Sequence, residues 1–448
     1  GHGGGVVLGA GYRARFLAGY WTAAPHRSKG RVVSVFRHPF PAPSPDTGAL
    51  VGRRFLIASA PFGPFARDLA AAIESTGGEV RRLILHMGDL LDWRRGGGRV
   101  HREPFETFRA ALPDWIGEFT DVIVFGDTSP HARAVLAEAR QRGLSTWILE
   151  NGYFRPDWIT LERRGVNAEG CSPSRPEAYA DVEAREPRPV PVGRILPWHV
   201  IHISLYYFIE LMGRVAFPRF RPEYDPPPWR QAFGHVGRAM KSRRSETRRR
   251  IVRLLQGDVP FALVCLQRDG DSQLVRHSAL PTNTAFLERV LDSFVAHAPD
   301  GLHLVVKGHP LDAGVDDMET RTGRLAEARG VGARVHYLDG GALADLCRAS
   351  TGLVVNNSSA ALSALGFGTP VKVLGKAFFD MEGLTDQQPL EAFWMNPIAP
   401  DPDLFARFRT WVIDNTQING GFHGPEVRRA TALALVRKFA DNPGPGAS

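Results

Sequence analysis

Short apolar runs alternate with amphipathic stretches in two blocks of the chain. The first block has four apolar runs that predict buried strands, at 54–59, 79–85, 121–126 and 145–149, and two stretches that predict helices, at 64–75 and 130–142. Strands that are joined through helices pair in parallel, because a parallel connection must cross the sheet. The pattern predicts a parallel sheet that ends near Glu150.

A second block repeats this pattern nearer the C-terminus. It has five predicted strands, at 261–266, 302–306, 335–338, 352–356 and 370–374, and three predicted helices, at 284–298, 341–349 and 359–367. Between the blocks the sequence is rich in proline and aromatic residues and the alternation stops. We predict an α/β protein of the GT-B type, with two Rossmann-like domains that face a cleft and a helical or irregular connector insert.

These changes in composition and in the pattern of apolar residues predict five segments along the 448 residues. They are an N-terminal extension at 1–52, a first Rossmann-like domain at 53–165, an aromatic and basic connector at 166–255, a second Rossmann-like domain at 256–400, and a C-terminal helix and tail at 401–448. The extension is rich in Gly, Pro and Arg. It lacks the basic flank and long apolar run of a secretory signal, so we expect none.

Charge is concentrated in one part of the connector. Residues 236–253 contain eight Lys or Arg and one acid, Glu246, so they carry +7 while the whole chain carries +8. Such a segment can bind nucleic acid, anionic lipid or an anionic polymer, or can be a solvated arginine-rich helix. Just before it, residues 198–220 interleave aromatic residues with few charges, which is typical of either interfacial membrane attachment or a buried connector helix.

Cysteine usage and short motifs narrow the class of protein. Cys171, Cys265 and Cys347 are far apart and form no CxxC or Cys/His cluster, which predicts neither disulfides nor zinc and fits a reducing cytoplasm. The longest apolar stretch, 195–209, is shorter than the roughly 20 residues that span a bilayer, so we predict no transmembrane helix. The sequence contains no dinucleotide fingerprint, P-loop or complete calcium loop, so we predict no cofactor and no metal.

A cluster of Lys307, Gly308, His309 and Pro310 follows a predicted strand of the second block. Ligands of open α/β sheets bind at the carboxyl ends of strands. Lysine supplies a mobile positive charge and histidine a hydrogen-bond donor near neutral pH, so the cluster suits a phosphate. The alternative is a turn with a surface lysine and a hydrogen-bonded histidine.

Asn356, Asn357, Ser358 and Ser359 end another strand and open a predicted helix. Hydroxyl and backbone N–H groups at a helix N-terminus can bind an anion, aided by the helix dipole. The alternative is plain N-capping, a common role of serine. The nearby lysine and histidine favour the anion site.

A third polar cluster follows the first strand of the second block. Gln267, Asp269, Asp271, Ser272 and Gln273 supply amide, hydroxyl and carboxylate groups that suit hydrogen bonds to a hydroxylated sugar. One carboxylate is then left as a nucleophile or electrostatic stabiliser. A turn rich in Asp and Gly is the alternative.

In the first block, Glu150 closes the last predicted strand. A carboxylate there can act as a general acid/base toward an acceptor hydroxyl, or can simply cap the strand. Asp127 follows the neighbouring strand, and Asp89 lies in either a cleft loop or an ordinary turn. The candidate residues of the acceptor cleft are Phe62, Asp89, Asp127, Tyr153 and Arg155.

A set of motifs in fixed order resembles the KpsS/LipB-type capsule synthesis proteins, from about residue 54 to 395. The motifs are PFGPF at 61–65, GD at 88–89, ENGYFRP at 150–156, WITLE at 158–162, GVN at 165–167, LQRDGDSQ at 266–273, KGHP at 307–310, NSS at 357–359 and GLT at 383–385. Each motif alone is weak evidence, but the ordered set is specific.

This resemblance implies a retaining β-Kdo transferase. Such an enzyme moves Kdo from CMP-β-Kdo to a lysophosphatidylglycerol-based or Kdo-primed acceptor and so starts the oligo-Kdo linker of a capsular polysaccharide. The resemblance also implies a peripheral location on the anionic inner face of the cytoplasmic membrane of a Gram-negative bacterium, with other capsule assembly proteins as partners and no nucleic acid. The alternatives are a transferase for another CMP-linked ulosonic acid and a non-catalytic polysaccharide-binding export adaptor.

The resemblance also assigns roles by position, with the acceptor in the first domain and the CMP-sugar in the second. It implies that Asp271 is the nucleophile, with Asp269 as its less favoured neighbour, and that Glu150 is the acid/base. The corresponding motif of sialyltransferase-like GT-B enzymes favours two acidic residues before Gly, and Asn151 occupies the second position here. The residues implied to bind CMP are Lys307, His309, Pro310, Asn357, Ser358 and Ser359.

Overall fold

The computed structural model describes residues 46–193, 195–219, 259–268, 278–309, 312 and 316–442. Most of the predicted extension and all of the basic run at 236–253 lie outside these residues. Within the described part, one sheet has seven strands and the other has five. Helices connect the parallel strands of both sheets, so the predicted α/β fold of the GT-B type is confirmed.

The first sheet has the strand order β12-β6-β5-β4-β1-β2-β3. Its strands are β1 (Arg54–Ile57), β2 (Glu79–Ile84), β3 (Gly98–Val100), β4 (Asp121–Phe125), β5 (Ser145–Asn151), β6 (Trp158–Glu162) and β12 (Gln417–Asn419). Strands β1 to β5 pair in parallel, whereas β6 is antiparallel to β5 and β12 is antiparallel to β6. The prediction that this sheet ends near Glu150 is wrong, because two antiparallel strands extend it.

Four helices connect or cover these strands. They are α1 (Phe65–Glu74), α2 (Met87–Trp93), α3 (Phe105–Ile116) and α4 (Pro130–Gln141). The first and last follow the apolar periodicity. Helix α2 replaces the turn considered around Asp89: the His86 side chain caps it by accepting a hydrogen bond from the Asp89 N–H at 3.2 Å.

The described part of the connector contains one long helix, α5 (Leu196–Gly213). It packs beside α2, and the ring of its Tyr206 lies 4.4 Å from that of Phe62, measured between centroids. Among the helices that the structure describes, none combines the length and apolarity needed to cross a bilayer.

The second sheet is wholly parallel, with the order β11-β10-β7-β8-β9. Its strands are β7 (Phe261–Cys265), β8 (His303–Lys307), β9 (Val335–Leu338), β10 (Gly352–Val355) and β11 (Val371–Val373), and its helices are α6 (Asn283–His297), α7 (Met318–Glu327), α8 (Leu343–Ala349), α9 (Ala360–Gly366) and α10 (Leu390–Phe393). All five predicted strands are present. The central strands β7 and β10 are apolar runs buried along their whole length, whereas the edge strand β9 is only partly buried.

The C-terminal segment returns from the second sheet to the first. Helix α11 (Pro402–Thr416) leads into β12, and α12 (Pro425–Ala440) packs against α1. The ring of Phe439 in α12 lies 4.7 Å from that of Trp147 in β5. The predicted single C-terminal helix is therefore wrong: two helices and an edge strand complete the first sheet.

Three histidines join α5 to the C-terminal segment. His423 Nε2 lies 2.8 Å from His199 Nδ1, and His423 Nδ1 lies 3.1 Å from His202 Nδ1. Burial, His199, His202 and Arg428 together lower the pKa of His423 to about 3. The folded protein therefore holds His423 neutral at a pH where a free histidine is protonated.

Acidification is expected to destabilise the protein through His423. His423 takes up a proton near pH 6.5 in the unfolded chain but only near pH 3 in the folded chain. Its contribution to stability is therefore present above the unfolded pKa and is lost as pH falls. Between about pH 7.5 and about pH 5 the wild type should lose about 2 kcal/mol more than His423→Gln. Urea unfolding of both proteins at both pH values measures the difference, and equal losses would contradict the assignment.

Candidate functional site

The carboxyl ends of β10, β7 and β8 lie side by side in the second sheet. These ends carry the three polar clusters that the sequence singled out. The structure brings two of them into contact, since Gln267 Oε1 accepts a hydrogen bond from the Asn357 N–H at 3.4 Å. Asp269, Asp271, Ser272, Gln273 and Pro310 lie outside the described residues.

Gln267 is held rigidly by the first turn of α6. Its N–H donates to Asn283 Oδ1 at 3.1 Å, and Asn283 Nδ2 donates to the Gln267 carbonyl at 2.8 Å. Asn356 is fixed in a similar way, because its Nδ2 donates to the Leu280 carbonyl at 2.9 Å. Buried amide pairs of this kind position the strand ends, so the edge of the sheet is a preorganised platform.

Lys307 is the last residue of β8 and is only 6% exposed. It is therefore not the surface lysine that the alternative interpretation required. Cys265 pairs with it across the strands, and burial raises the pKa of the Cys265 thiol to about 12 despite the nearby ammonium. Because burial of an ammonium is costly, a lysine kept at the ligand edge of a sheet is a strong candidate for binding an anion.

His309 follows Lys307 by two residues and is half-buried. Its carbonyl accepts a hydrogen bond from the Asp312 N–H at 3.1 Å, which fixes the backbone of this turn. Lys307 and His309 therefore lie in one short segment at the carboxyl end of β8, beside the Gln267 platform.

The serines at the start of α9 divide their roles. Ser358 Oγ accepts a hydrogen bond from the Ala360 N–H at 3.3 Å, so it acts as a local cap. Ser359 occupies the N-cap position but makes no side-chain capping bond. Plain N-capping thus explains Ser358 and does not explain the hydroxyl of Ser359.

Glu150 and Asp127 lie at the carboxyl ends of β5 and β4, which are neighbours in the first sheet. Glu150 Oε1 accepts hydrogen bonds from the N–H of Asn151 at 2.8 Å and from its Nδ2 at 3.2 Å. Asp127 Oδ2 accepts from the Val166 N–H at 3.1 Å. Asn151, which occupies the position of the second acid described above, therefore orients the carboxylate of Glu150.

Tyr153 joins the two halves of the described structure. Its ring packs on Phe378 with centroids 4.6 Å apart, and its N–H donates to Gln417 Oε1 at 2.9 Å. Its hydroxyl donates to Glu162 Oε1 at 2.7 Å and accepts from the Asn167 N–H at 2.6 Å. Burial and the neighbouring Glu162 raise the pKa of Tyr153 well above its usual range, so the phenol stays protonated.

Glu162 is a buried carboxylate to which the sequence analysis gave no role. Its second oxygen accepts a hydrogen bond from the Cys171 N–H at 2.7 Å. Burial raises its pKa, against the opposing effect of the hydrogen bonds from Cys171 and Tyr153. The signals in the sequence were its place in the WITLE motif and its position at the end of the apolar run of β6, but its partners lie on other segments.

Phe62 lies in the loop after β1, and Asp89 lies in the first turn of α2, which follows β2 and packs beside α5. Asp89 forms an ion pair with Arg82 at 2.6 Å, and Phe62 packs on Tyr206. Burial raises the pKa of Asp89, but His86 and Arg82 outweigh that effect and lower it overall. These contacts are structural, and the acceptor role of Phe62, Asp89 and the exposed Arg155 stays a prediction.

Taken together, two Rossmann-like sheets and a preorganised edge with a buried lysine define a GT-B-type α/β protein with a candidate anion site. In the described part of the chain, no group of three or more His, Cys, Asp or Glu side chains could hold a metal ion.

The chain belongs to the capsule polysaccharide biosynthesis protein family, whose sequence profile matches residues 120–423. It is 30% identical over 392 residues to the capsule polysaccharide export protein KpsS of Escherichia coli, covering 84% of this chain and 98% of that protein. It is 32% identical over 394 residues to the capsule polysaccharide modification protein LipB of Neisseria meningitidis serogroup B, covering 82% and 91%. The resemblance to the KpsS/LipB type is confirmed.

Among solved structures, the chain is similar to the β-Kdo 2,7 transferase of KpsC from Thermosulfurimonas dismutans. The sequence identity is 15%, the TM-score is 0.38, and the alignment covers 86% of this chain and 99% of the other.

Proposed function

We propose that this protein is a retaining β-Kdo transferase. It moves Kdo from CMP-β-Kdo to a lysophosphatidylglycerol-based or Kdo-primed acceptor, and it works on the inner face of the cytoplasmic membrane. Membership of the capsule family and the ordered motifs support this proposal. The observation that carries it is the buried Lys307 beside the Gln267–Asn357 contact, at the edge where a parallel sheet binds ligands.

In this proposal the second sheet binds the donor. Lys307 neutralises part of the phosphate charge that grows as CMP leaves, His309 donates a hydrogen bond to it, and Ser359 supplies a hydroxyl that the helix cap does not use. Asn357 and Ser358 complete the contacts to phosphate and ribose. Fixed donors are effective here because they need no reorganisation as charge develops. The proposed reaction uses no metal, because Lys307 supplies a positive charge and His309 a hydrogen-bond donor to the phosphate.

Retention requires two displacements at the anomeric carbon. In the first, a carboxylate oxygen of Asp271 bonds to that carbon while the bond to the CMP phosphate oxygen breaks. In the second, Glu150 takes the proton of the acceptor hydroxyl, whose oxygen bonds to the anomeric carbon and releases Asp271.

Asp271→Asn should abolish transfer, with a fall in kcat of at least about 1000-fold, because an amide cannot form the glycosyl intermediate. The matched control is Asp269→Asn, two residues away, which should keep kcat within about tenfold of the wild type. Release of CMP from CMP-Kdo measures both. Wild-type turnover in Asp271→Asn, or the reverse order of the two variants, would refute the assignment of the nucleophile.

The function itself is tested by incubating the purified protein with CMP-Kdo and a synthetic lysophosphatidylglycerol, then measuring product mass. A mass increase of one or more Kdo residues is expected. Replacing the donor with CMP-sialic acid should give no product, and a product there would indicate another ulosonic acid. Tight binding of capsular polymer without CMP release from any donor would favour an export adaptor instead.

A further inference from the structure

Helix α5 is amphipathic, but it is oriented oppositely to an ordinary surface helix. Its polar side chains face the protein: His199, His202, Tyr206 and Glu210 recur three or four residues apart and contact or line its buried side. Most of its large apolar side chains are exposed on the other side. Helices on soluble proteins ordinarily show the opposite arrangement, so the outward face requires an explanation.

Several independent contacts fix the orientation of α5. Besides the histidine contacts to His423, the Tyr206 hydroxyl lies 3.0 Å from His86 Nε2. Close packing adds to this: a Cβ at Gly63 would lie 2.6 Å from His202 Nδ1, and one at Gly213 would overlap Met87. Because polar contacts and close packing agree, rotation of α5 to bury its apolar face would break both.

The outward face is a continuous apolar stripe. Its members are spaced three and four residues apart, which places them along one side of the helix. Ile201, Phe208 and Met212 are 54%, 63% and 67% exposed. The stripe consists of Trp198, Ile201, Leu205, Phe208 and Met212. Glu210 is the only acid between 196 and 219, and it is buried, so α5 itself presents no exposed acid that would repel an anionic surface.

Charge decides what can cover the stripe. Arg214 is exposed at the end of α5, whereas Arg219 further on is paired with Glu103, and the chain carries +8 overall, with +7 between 236 and 253. Two such copies would repel each other if they paired through this face. An apolar stripe that includes Trp and Phe, followed by a strongly cationic stretch of sequence, instead complements a bilayer with anionic head groups.

We infer that the outward stripe of α5 inserts into the boundary between head groups and acyl chains of an anionic membrane. Only one side of the helix is available, because the other is packed on the protein, so α5 lies along the membrane surface. The inference deepens the proposed function and rests on it for the lipid acceptor. Phe62, at the predicted acceptor edge, packs directly under this helix, so the membrane surface and the acceptor edge are neighbours.

Vesicle binding by the full chain, without donor or acceptor, tests the inference. The wild type should co-sediment with phosphatidylglycerol-rich vesicles far more than with phosphatidylcholine vesicles. Ile201→Glu with Phe208→Glu should weaken binding to the first by at least about tenfold, because charge is costly at that depth. The matched control is Met395→Glu, which should bind like the wild type. Met395 lies beside the second sheet and is as exposed as Met212 in the stripe.

Several outcomes would overturn the inference. One is unchanged vesicle binding in the double Glu variant, and another is equal loss in the Met395 control. A third is a wild-type protein that is dimeric and does not bind vesicles, together with a double variant that is monomeric. That result would assign the stripe to an interface with a second copy. If the Glu pair lowers the Tm, Ile201→Ser with Phe208→Ser replaces it, and retained binding by that pair would again refute the inference.

Failure here can be told apart from failure of the proposed function. Transfer to a short, water-soluble acceptor does not require a membrane. Normal transfer in the double variant with lost vesicle binding is the expected pattern. Transfer without any vesicle binding by the wild type would overturn only the role of α5, whereas vesicle binding without CMP release would overturn only the transferase.

Discussion

Lys307→Met should lower kcat/KM for CMP-Kdo by about 100-fold or more while the protein stays folded. Methionine matches the apolar stem of the lysine and fits its buried position, but it brings no charge to the donor phosphate. Loss of one preorganised donor to a developing negative charge typically costs this much. Steady-state release of CMP, with the Tm of both proteins, measures the effect.

Lys372→Met is the matched control for this variant. Lys372 also lies in a strand of the second sheet, but its ammonium donates to the carbonyls of Asp386, at 2.9 Å, and Gln388. Its loss should cost about 1–3 kcal/mol of stability and leave the kcat/KM of the folded protein near that of the wild type. If the two lysines behaved alike, Lys307 would be structural and the donor site would lie elsewhere.

Gly152→Ala should have the largest effect on stability, at least about 3 kcal/mol of unfolding free energy. A Cβ on Gly152 would overlap the backbone carbonyl of Trp158, which no side-chain rotation can relieve. The clash would separate β5 from β6, on which Glu162 and the Tyr153 contacts depend. Urea unfolding, or the yield of soluble protein if the variant does not fold, measures the loss.

Gly323→Ala is the control for the same chemical change. Gly323 is exposed within α7, and a Cβ there meets nothing within 4 Å. Alanine should therefore stabilise the protein by about 0.5–1 kcal/mol, because it favours the helix and restricts the unfolded chain. A Gly152→Ala protein as stable as this control would show that the β5–β6 turn can move aside.

Much of the fold could be predicted because its signals are local. The strand Val335–Leu338 has the predicted bounds, and the other strands of the second sheet differ from theirs by one or two residues. Two of the elements that were missed have weak local signals. Helix α3 contains Pro113, which resembles a helix breaker, and β12 is only three residues long. Both elements form through tertiary packing, which the periodicity of the sequence does not reveal.

Less of the candidate site could be predicted, for a related reason. The order of motifs placed Gln267 and Asn357 at neighbouring strand ends, and the structure joins them. It could not reveal that Lys307 is buried or that Tyr153 bonds to Gln417, a residue 264 positions away. Burial and long-range hydrogen bonds depend on which segments meet, and that information is absent from any single stretch of sequence.

The return of the C-terminal segment to the first sheet has a consequence for synthesis on the ribosome. Strand β6 keeps an open edge until 417–419 has been translated, and α1 lacks its partner until 425–440 follows. The strands of the second sheet follow one another in the chain, so this sheet is complete before the C-terminal segment is translated. The half that is made first therefore finishes folding last, and a nascent chain exposes an unpaired strand edge throughout, which is a site for chaperone binding or aggregation. A chimera that takes its first sheet from a relative must therefore also take the C-terminal segment from that relative.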